Sequence, residues 1–282
     1  MLNTQASYTS RMGLLAALVA FLVCSPHVDA SEIYLDGEFT QGGLLQGFAP
    51  PGSRIRVDGR EVRVSGAGAF LIGFSRDDTQ DVILDAQLPD GTVERRTLQI
   101  QTREYNVQRI DGLVQSQVTP DESVLARIQA EVELVKATRR RDDQRTDFLT
   151  GFAWPARGRI SGVYGSQRVL NGEPRQPHYG VDVAAPFGTT VSAPADGVIT
   201  LARDDMYYSG GTLVLDHGHG LSSAFLHLSR ILVKEGDVIR RGDAIAEVGA
   251  TGRVTGAHLD WRMNLFDKRI DPALLVEPMT QD

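Results

Sequence analysis

The sequence predicts a mainly β protein built from two β units joined by one helix. Three observations predict it. Short apolar runs bounded by turn residues fill the first third of the chain, a single segment carries helical periodicity, and a glycine-rich β pattern resumes from Gly151 to the end. At 282 residues the chain has room for two modest domains, and its 41% apolar and 23% charged content is that of an ordinary globular protein. A formal net charge of −7 excludes the basic footprint of a nucleic-acid binder, so no nucleic-acid partner is expected.

Residues 1–30 read as a secretory signal. Arg11 precedes an apolar run from Met12 to Val23, and Val28-Asp29-Ala30 supplies a small-residue cleavage site. That run is too short for the ~20 residues of a membrane-spanning helix, although an uncleaved anchor is the alternative. Cys24 is the only cysteine and Val23 precedes it, which does not suit a lipoprotein signal. A chain processed there keeps no thiol, which removes disulfides and cysteine-ligated metals from the options.

Residues 31–112 read as an accessory β-sandwich domain. Its strand candidates are Ile33–Leu35, Ile55–Val57, Val62–Val64, Phe70–Phe74, Val82–Leu84 and Thr97–Ile100, and Asp58-Gly59 and Asp90-Gly91 are hairpin turns. No ligand-type cluster occurs there, so a spacer or docking role is expected. Residues 113–150 are read as helix and linker. Thr119-Pro120-Asp121-Glu122 forms a capping box, and Val124, Leu125, Ile128, Val132 and Val135 recur at helical spacing up to about Arg139. The charged stretch from Arg139 to Asp143 reads as a solvated end.

Residues 151–282 form the second β domain. Its candidate strands are Val191–Ala193, Gly197–Leu201, Thr212–His217, Ser222–Leu228, Val238–Ile239, Ala244–Val248 and His258–Asn264, with Gly218-His219-Gly220 as a hairpin turn. A weak repeat, Gly188-Thr-Thr-Val-Ser-Ala with Gly197-Val-Ile against Gly236-Asp-Val-Ile with Gly242-Asp-Ala-Ile, also occurs in barrel-sandwich domains that carry lipoyl or biotinyl groups. Lys234 lacks the tip motif such carriers need.

Histidine and aspartate gather in this domain. In Pro177-His178-Tyr179-Gly180-Val181-Asp182 the proline, glycine and valines disfavour a helix. In an extended chain His178 and Asp182 then face one side and can reach one ion. His258-Leu259-Asp260-Trp261-Arg262-Met263 alternates strictly, with His258, Asp260 and Arg262 on one face. An edge strand with a polar outer face would show the same alternation. His227 stands alone on a strand candidate, and His217 and His219 lie at a turn, where structural or surface roles are expected.

Taken together these stretches resemble the lysostaphin/LytM-type zinc metalloendopeptidases over roughly residues 151–275. The matching pieces are His178-Tyr-Gly-Val-Asp182, Ser192-Ala-Pro-Ala-Asp-Gly-Val, Asp216-His-Gly, Phe225-Leu-His-Leu and Gly249-Ala-Thr-Gly-Arg-Val-Thr-Gly-Ala-His258-Leu, in that order. The resemblance implies a β-sheet groove with Zn²⁺ on its floor and a peptide substrate, chiefly peptidoglycan cross-bridges. It implies His178 and Asp182 as metal ligands, and His227 and His258 as the catalytic histidines that handle protons and steady the transition state. The third ligand of the family is the second histidine of a His-x-His. Here that position is Asp260, a departure that keeps a competent donor, because carboxylate oxygen binds zinc at nearly the same distance as imidazole nitrogen. Two carboxylates would neutralise the ion, so a weaker Lewis acid is expected than with two histidines.

The expected function is therefore a peptidoglycan endopeptidase, by family analogy a D,D-endopeptidase cutting D-Ala–meso-diaminopimelate cross-links in the periplasm of a Gram-negative bacterium. The alternative is a weak or inactive regulator of the same type that binds and activates cell-wall amidases. Any wall-remodelling protein partner is unspecified by the sequence.

Overall fold

The computed structural model describes residues 33–111 and 122–279. The expected signal and residues 119–121 of the capping box lie outside them. The first seven strands are β1 (Tyr34–Gly37), β2 (Leu44–Phe48), β3 (Arg54–Val57), β4 (Arg60–Val62), β5 (Ala69–Gly73), β6 (Val82–Gln87) and β7 (Val93–Leu98). They form two antiparallel sheets, β1-β2-β5 and β4-β3-β6-β7. The β3–β4 turn has positive φ at both Asp58 (50°) and Gly59 (76°), as a two-residue hairpin requires. The β6–β7 turn is longer, and only Gly91 (φ 90°) takes the left-handed conformation.

Strand β5 is buried on both faces. Phe70 and Ile72 point into the sandwich with Leu45, Ile55 and Leu84. Ala69 and Leu71, with Leu44, point the other way and join the core of the second β unit beside Val183, Trp261 and Ile270. The unbroken apolar run of this strand is thus the signature of a sheet lying between two cores. Arg103 with Asp271 and Lys268 with Asp78 tie the same junction electrostatically.

Strand β8 (Val107–Ile110) and helix α1 (Glu122–Arg139) follow. The helix half-buries Val124, Ile128, Leu134 and Val135, but leaves Leu125 and Val132 of the expected stripe exposed. The packed face is therefore rotated from the one the periodicity suggested, and the helix is only lightly attached.

The second unit comprises β9 (Arg159–Gly162), β10 (Gln167–Leu170), β11 (Glu173–Pro174), β12 (Val181–Ala184), β13 (Thr190–Ser192), β14 (Gly197–Met206), β15 (Gly210–Gly218), β16 (Leu221–Ile231), β17 (Val238–Ile239), β18 (Ala244–Val248), β19 (Leu259–Leu265) and β20 (Lys268–Ile270). Strand β8 pairs in parallel with β10. The main sheet runs β17-β14-β15-β16-β19-β12-β9, with β13, β18 and β20 attached to it.

Register assigns the two faces of this sheet. Leu213 opposes Phe225, Phe225 opposes Trp261, and Trp261 opposes Val181, so these side chains share the core face. Leu201 opposes Val214, Val214 opposes Ala224, and Ala224 opposes Arg262 on the other face. Leu226, Asp260 and Asp182 lie on that second face too, because Leu226 opposes Asp260 and Asp260 opposes Asp182.

Candidate metal centre

The second face holds the chemistry. The β12–β19 register sets the Asp182 and Asp260 carboxylates side by side. His178 precedes β12 in an irregular approach, its N–H donating to the Ser166 carbonyl and its own carbonyl accepting from Gly165 N–H, both at 2.8 Å. One donor atom from each of His178, Asp182 and Asp260 lies within 4.8 Å of the others. His178 Nε2 and Asp182 Oδ1 face each other at 3.2 Å, yet both are buried without a hydrogen-bond partner. Leaving two polar atoms so costs roughly 1–3 kcal/mol each. A divalent cation between them would satisfy both, and the donor types, imidazole and carboxylate, suit zinc.

Two further histidines flank this cluster. His258 Nε2 lies 3.9 Å from Asp182 Oδ1, and the His227 and His258 rings are 4.9 Å apart between centroids. Their tautomers follow from acceptor-only partners. His227 Nδ1–H donates to the Thr251 carbonyl and His258 Nδ1–H to the Gly256 carbonyl, each at 2.9 Å. Both acceptors belong to the connection between β18 and β19, which explains why the Gly249-to-Ala257 stretch carries so specific a sequence. Each ring then has Nε2 left for the cluster. Burial is the largest influence on His227 and pushes its imidazolium below the ordinary range, outweighing the opposing pull of Asp260. His227 is therefore neutral near pH 7. It also sits at φ 65°, a strained conformation for a histidine, held by its N–H to the Ser209 carbonyl at 2.8 Å.

Arg262 is the participant the sequence did not assign. Two positions beyond Asp260 on the same face, its Nε donates to both Asp260 oxygens at 3.0 Å and a terminal NH₂ donates to Oδ2 at 2.5 Å. Burial pushes the Asp260 carboxyl up, but the Arg262 charge and hydrogen bonds, with His178 and His227, more than offset it and hold it below its usual value. The alternation had placed Arg262 on the ligand face, but not its reach back to Asp260. Gly180 belongs here as well. A Cβ on it would come within 2.5 Å of Asp260 Oδ1 and 2.7 Å of Arg262 Cγ, so only glycine fits against the pair. His217 and His219 are fully inside the domain and away from this cluster. His217 Nδ1–H donates to the Asp196 carbonyl and Nε2 accepts from Ser223 Oγ, a structural arrangement.

Helix α1 packs on the same face as the cluster. Leu134 and Val135 rest on Leu201, Met206, Val214, Ala224 and Leu226. Glu131 accepts from the Tyr207 N–H at 2.8 Å, and Arg127 donates to the Asp205 carbonyl at 2.7 Å. At the far end Arg139 is not a solvated residue. Burial, then repulsion from Arg269 and Arg262, pushes its guanidinium down to about 9.

Residues 176–272 match peptidase family M23. This part of the chain is an M23 peptidase domain. All five residues singled out from the sequence, from His178 to Asp260, fall inside it. The chain is 45% identical over 87 residues to peptidoglycan DD-endopeptidase ShyA of Vibrio cholerae, covering 31% of this chain and 20% of that protein. It is 40% identical over 101 residues to DD-carboxypeptidase/endopeptidase Mpg of Neisseria meningitidis serogroup B, covering 36% of this chain and 23% of that one. The chain thus spans about a fifth of the length of the curated relatives it matches. A crystal structure from Pseudomonas aeruginosa carrying the M23 peptidase designation superposes with a TM-score of 0.64 at 29% identity, over 84% of this chain and 95% of that one. That likeness extends well beyond the M23 domain, into the sandwich and linking segments.

Proposed function

We propose that the chain is an exported zinc metalloendopeptidase that hydrolyses peptide cross-links of bacterial peptidoglycan, acting as a D,D-endopeptidase in the periplasm. One observation carries the reading: three metal-competent donors converge on one point, flanked by two histidines that both present Nε2. The M23 match and the endopeptidase relatives support the substrate class.

His178, Asp182 and Asp260 would hold the zinc, which when bound supplies a Lewis acid for the scissile carbonyl and the attacking water. The protein's own contribution is proton handling and orientation. His227 is neutral and fixed by the Thr251 carbonyl, so its Nε2 can take a proton from the attacking water and pass it to the leaving amine. His258, fixed by the Gly256 carbonyl, sets its Nε2 against the same point, where it would orient the attacking water by accepting its hydrogen bond. The sandwich would serve as an accessory module.

Metal analysis of the purified protein, paired with digestion of cross-linked muropeptides, tests this. One zinc per chain and cleaved cross-links are expected; a metal-free, inert protein would sink the proposal. A second reading is favoured by Arg262 on Asp260 and by α1 over the site: a non-catalytic activator of wall amidases. It requires stimulation of an amidase by a protein that binds no zinc.

A further inference from the structure

We propose that Arg262 is a counter-cation built into the metal site, competing with the divalent ion for Asp260 and making the Asp260–Arg262 pair the equivalent of a neutral ligand. The inference rests on the metal-site reading above and concerns how this chain accommodates its unusual third donor.

Charge balance comes first. A divalent ion held by two histidines and one carboxylate keeps one positive charge. With two carboxylates it keeps none. Adding the guanidinium returns the balance to one positive charge, so the expectation of a neutralised ion drawn from the sequence holds only if Arg262 is ignored. Hydrogen bonding agrees with this. Three donor contacts from Arg262 engage both oxygens of Asp260, whereas His178 Nε2 and Asp182 Oδ1 have none. Two of the three donors are thus free for a cation and the third is shared. A carboxylate already paired bidentately offers less charge to an ion, and a fixed cation close by repels it.

The surroundings keep the guanidinium in place. Asp260 and Arg262 share one face of β19. Gly180 closes against both without a side chain. Arg262 in turn repels the guanidinium groups of Arg139 and Arg269, with burial the larger cause of the lowered pKa in each. Arg262 is accordingly a positioning residue: it acts on Asp260.

The test is a chelator-competition titration with Zn²⁺ alone on the full chain, comparing wild type, Arg262→Met, Arg262→Lys and Asp260→Ala. Arg262→Met should bind zinc about tenfold more tightly than wild type, the scale on which residues behind metal ligands act. Arg262→Lys keeps the charge but not the fork, and should fall between the two. Asp260→Ala should bind more weakly than all of them. Thermal melting of each apo protein checks folding, and Arg262→Lys keeps the comparison open should the methionine variant not fold. Unchanged or weaker affinity in Arg262→Met, or in Arg262→Lys when it alone folds, overturns the inference while leaving the metal site intact. Absence of zinc binding in every variant, wild type included, overturns both.

Discussion

At the residue scale, the roles divide by which atom each side chain offers. His227 and His258 spend Nδ1 on backbone carbonyls and keep Nε2, and on the proposed reading His178, Asp182 and Asp260 hold the ion in their place. His227→Ala and His258→Ala should each lower turnover by about 10²- to 10⁴-fold, the range for a positioned acid or base, with zinc content unchanged by elemental analysis. Stoichiometric zinc loss in either variant would reassign that residue as a ligand. Gly180→Ala should destabilise the protein by roughly 1–3 kcal/mol, as overpacking does, because its Cβ would press on Asp260 and on the Trp261 carbonyl. A denaturant midpoint equal to wild type would show that the β12 approach can shift. Much of this scale was legible beforehand. Strict alternation put His258, Asp260 and Arg262 on one face, and the His178-to-Asp182 spacing suited one ion. The Asp260–Arg262 pairing was not legible, because alternation gives a side and not a reach. Nor was the positive φ of His227, which depends on the distant Ser209 and Thr251.

At the element scale, α1 and the cluster share one face of the main sheet. The helix lies on the sheet face that carries the cluster, which a peptide would have to reach on the proposed reading, and it is held by a narrow stripe of half-buried residues. Replacing Leu134 and Val135 by aspartate removes the apolar part of that contact. A loss of ~1.4 kcal/mol shifts the covered-to-uncovered ratio about tenfold. Hydrolysis of soluble muropeptides should therefore speed up in Leu134→Asp/Val135→Asp, read as kcat/KM, with the melting of the sheet domain little changed. Identical kinetics would mean that substrate reaches the site without displacing the helix. Periodicity alone gave the helix and its C-terminal end near Arg139, but not its orientation, since both Leu125 and Leu134 fit a helical stripe and the sheet selects between them. Strand β2 escaped the sequence reading because Leu44-Leu45-Gln46-Gly47-Phe48 neither alternates nor favours strand at its glycine. The glycine is there because the Phe70 ring fills the space a Cβ would need. The parallel β8–β10 pair joins segments about sixty residues apart, which no local pattern announces.

At the scale of the whole molecule, one strand layer links two cores, and a buried histidine is expected to add to the acid sensitivity of the fold. His217 is fully enclosed, and burial pushes its pKa down to about 4 from 6.5. The unfolded chain therefore takes up a proton near pH 6.5 that the folded chain refuses until about pH 4. Stability from this group is present above pH 6.5 and falls by about 3 kcal/mol as the pH drops to 4. Urea unfolding at pH 7 and pH 4.5 should show the loss in wild type and a smaller one in His217→Gln; equal losses would place the acid sensitivity elsewhere. On the proposed reading, His178, Asp182, Asp260, His227 and His258 together cleave the cross-link. The most direct test is mass spectrometry of D-Ala–meso-diaminopimelate cross-linked dimers incubated with the zinc-loaded full chain and with His227→Ala. Wild type is expected to release monomers at the cross-link, and the variant to leave the dimers intact. Intact dimers in both, or monomers in both, would contradict that reading.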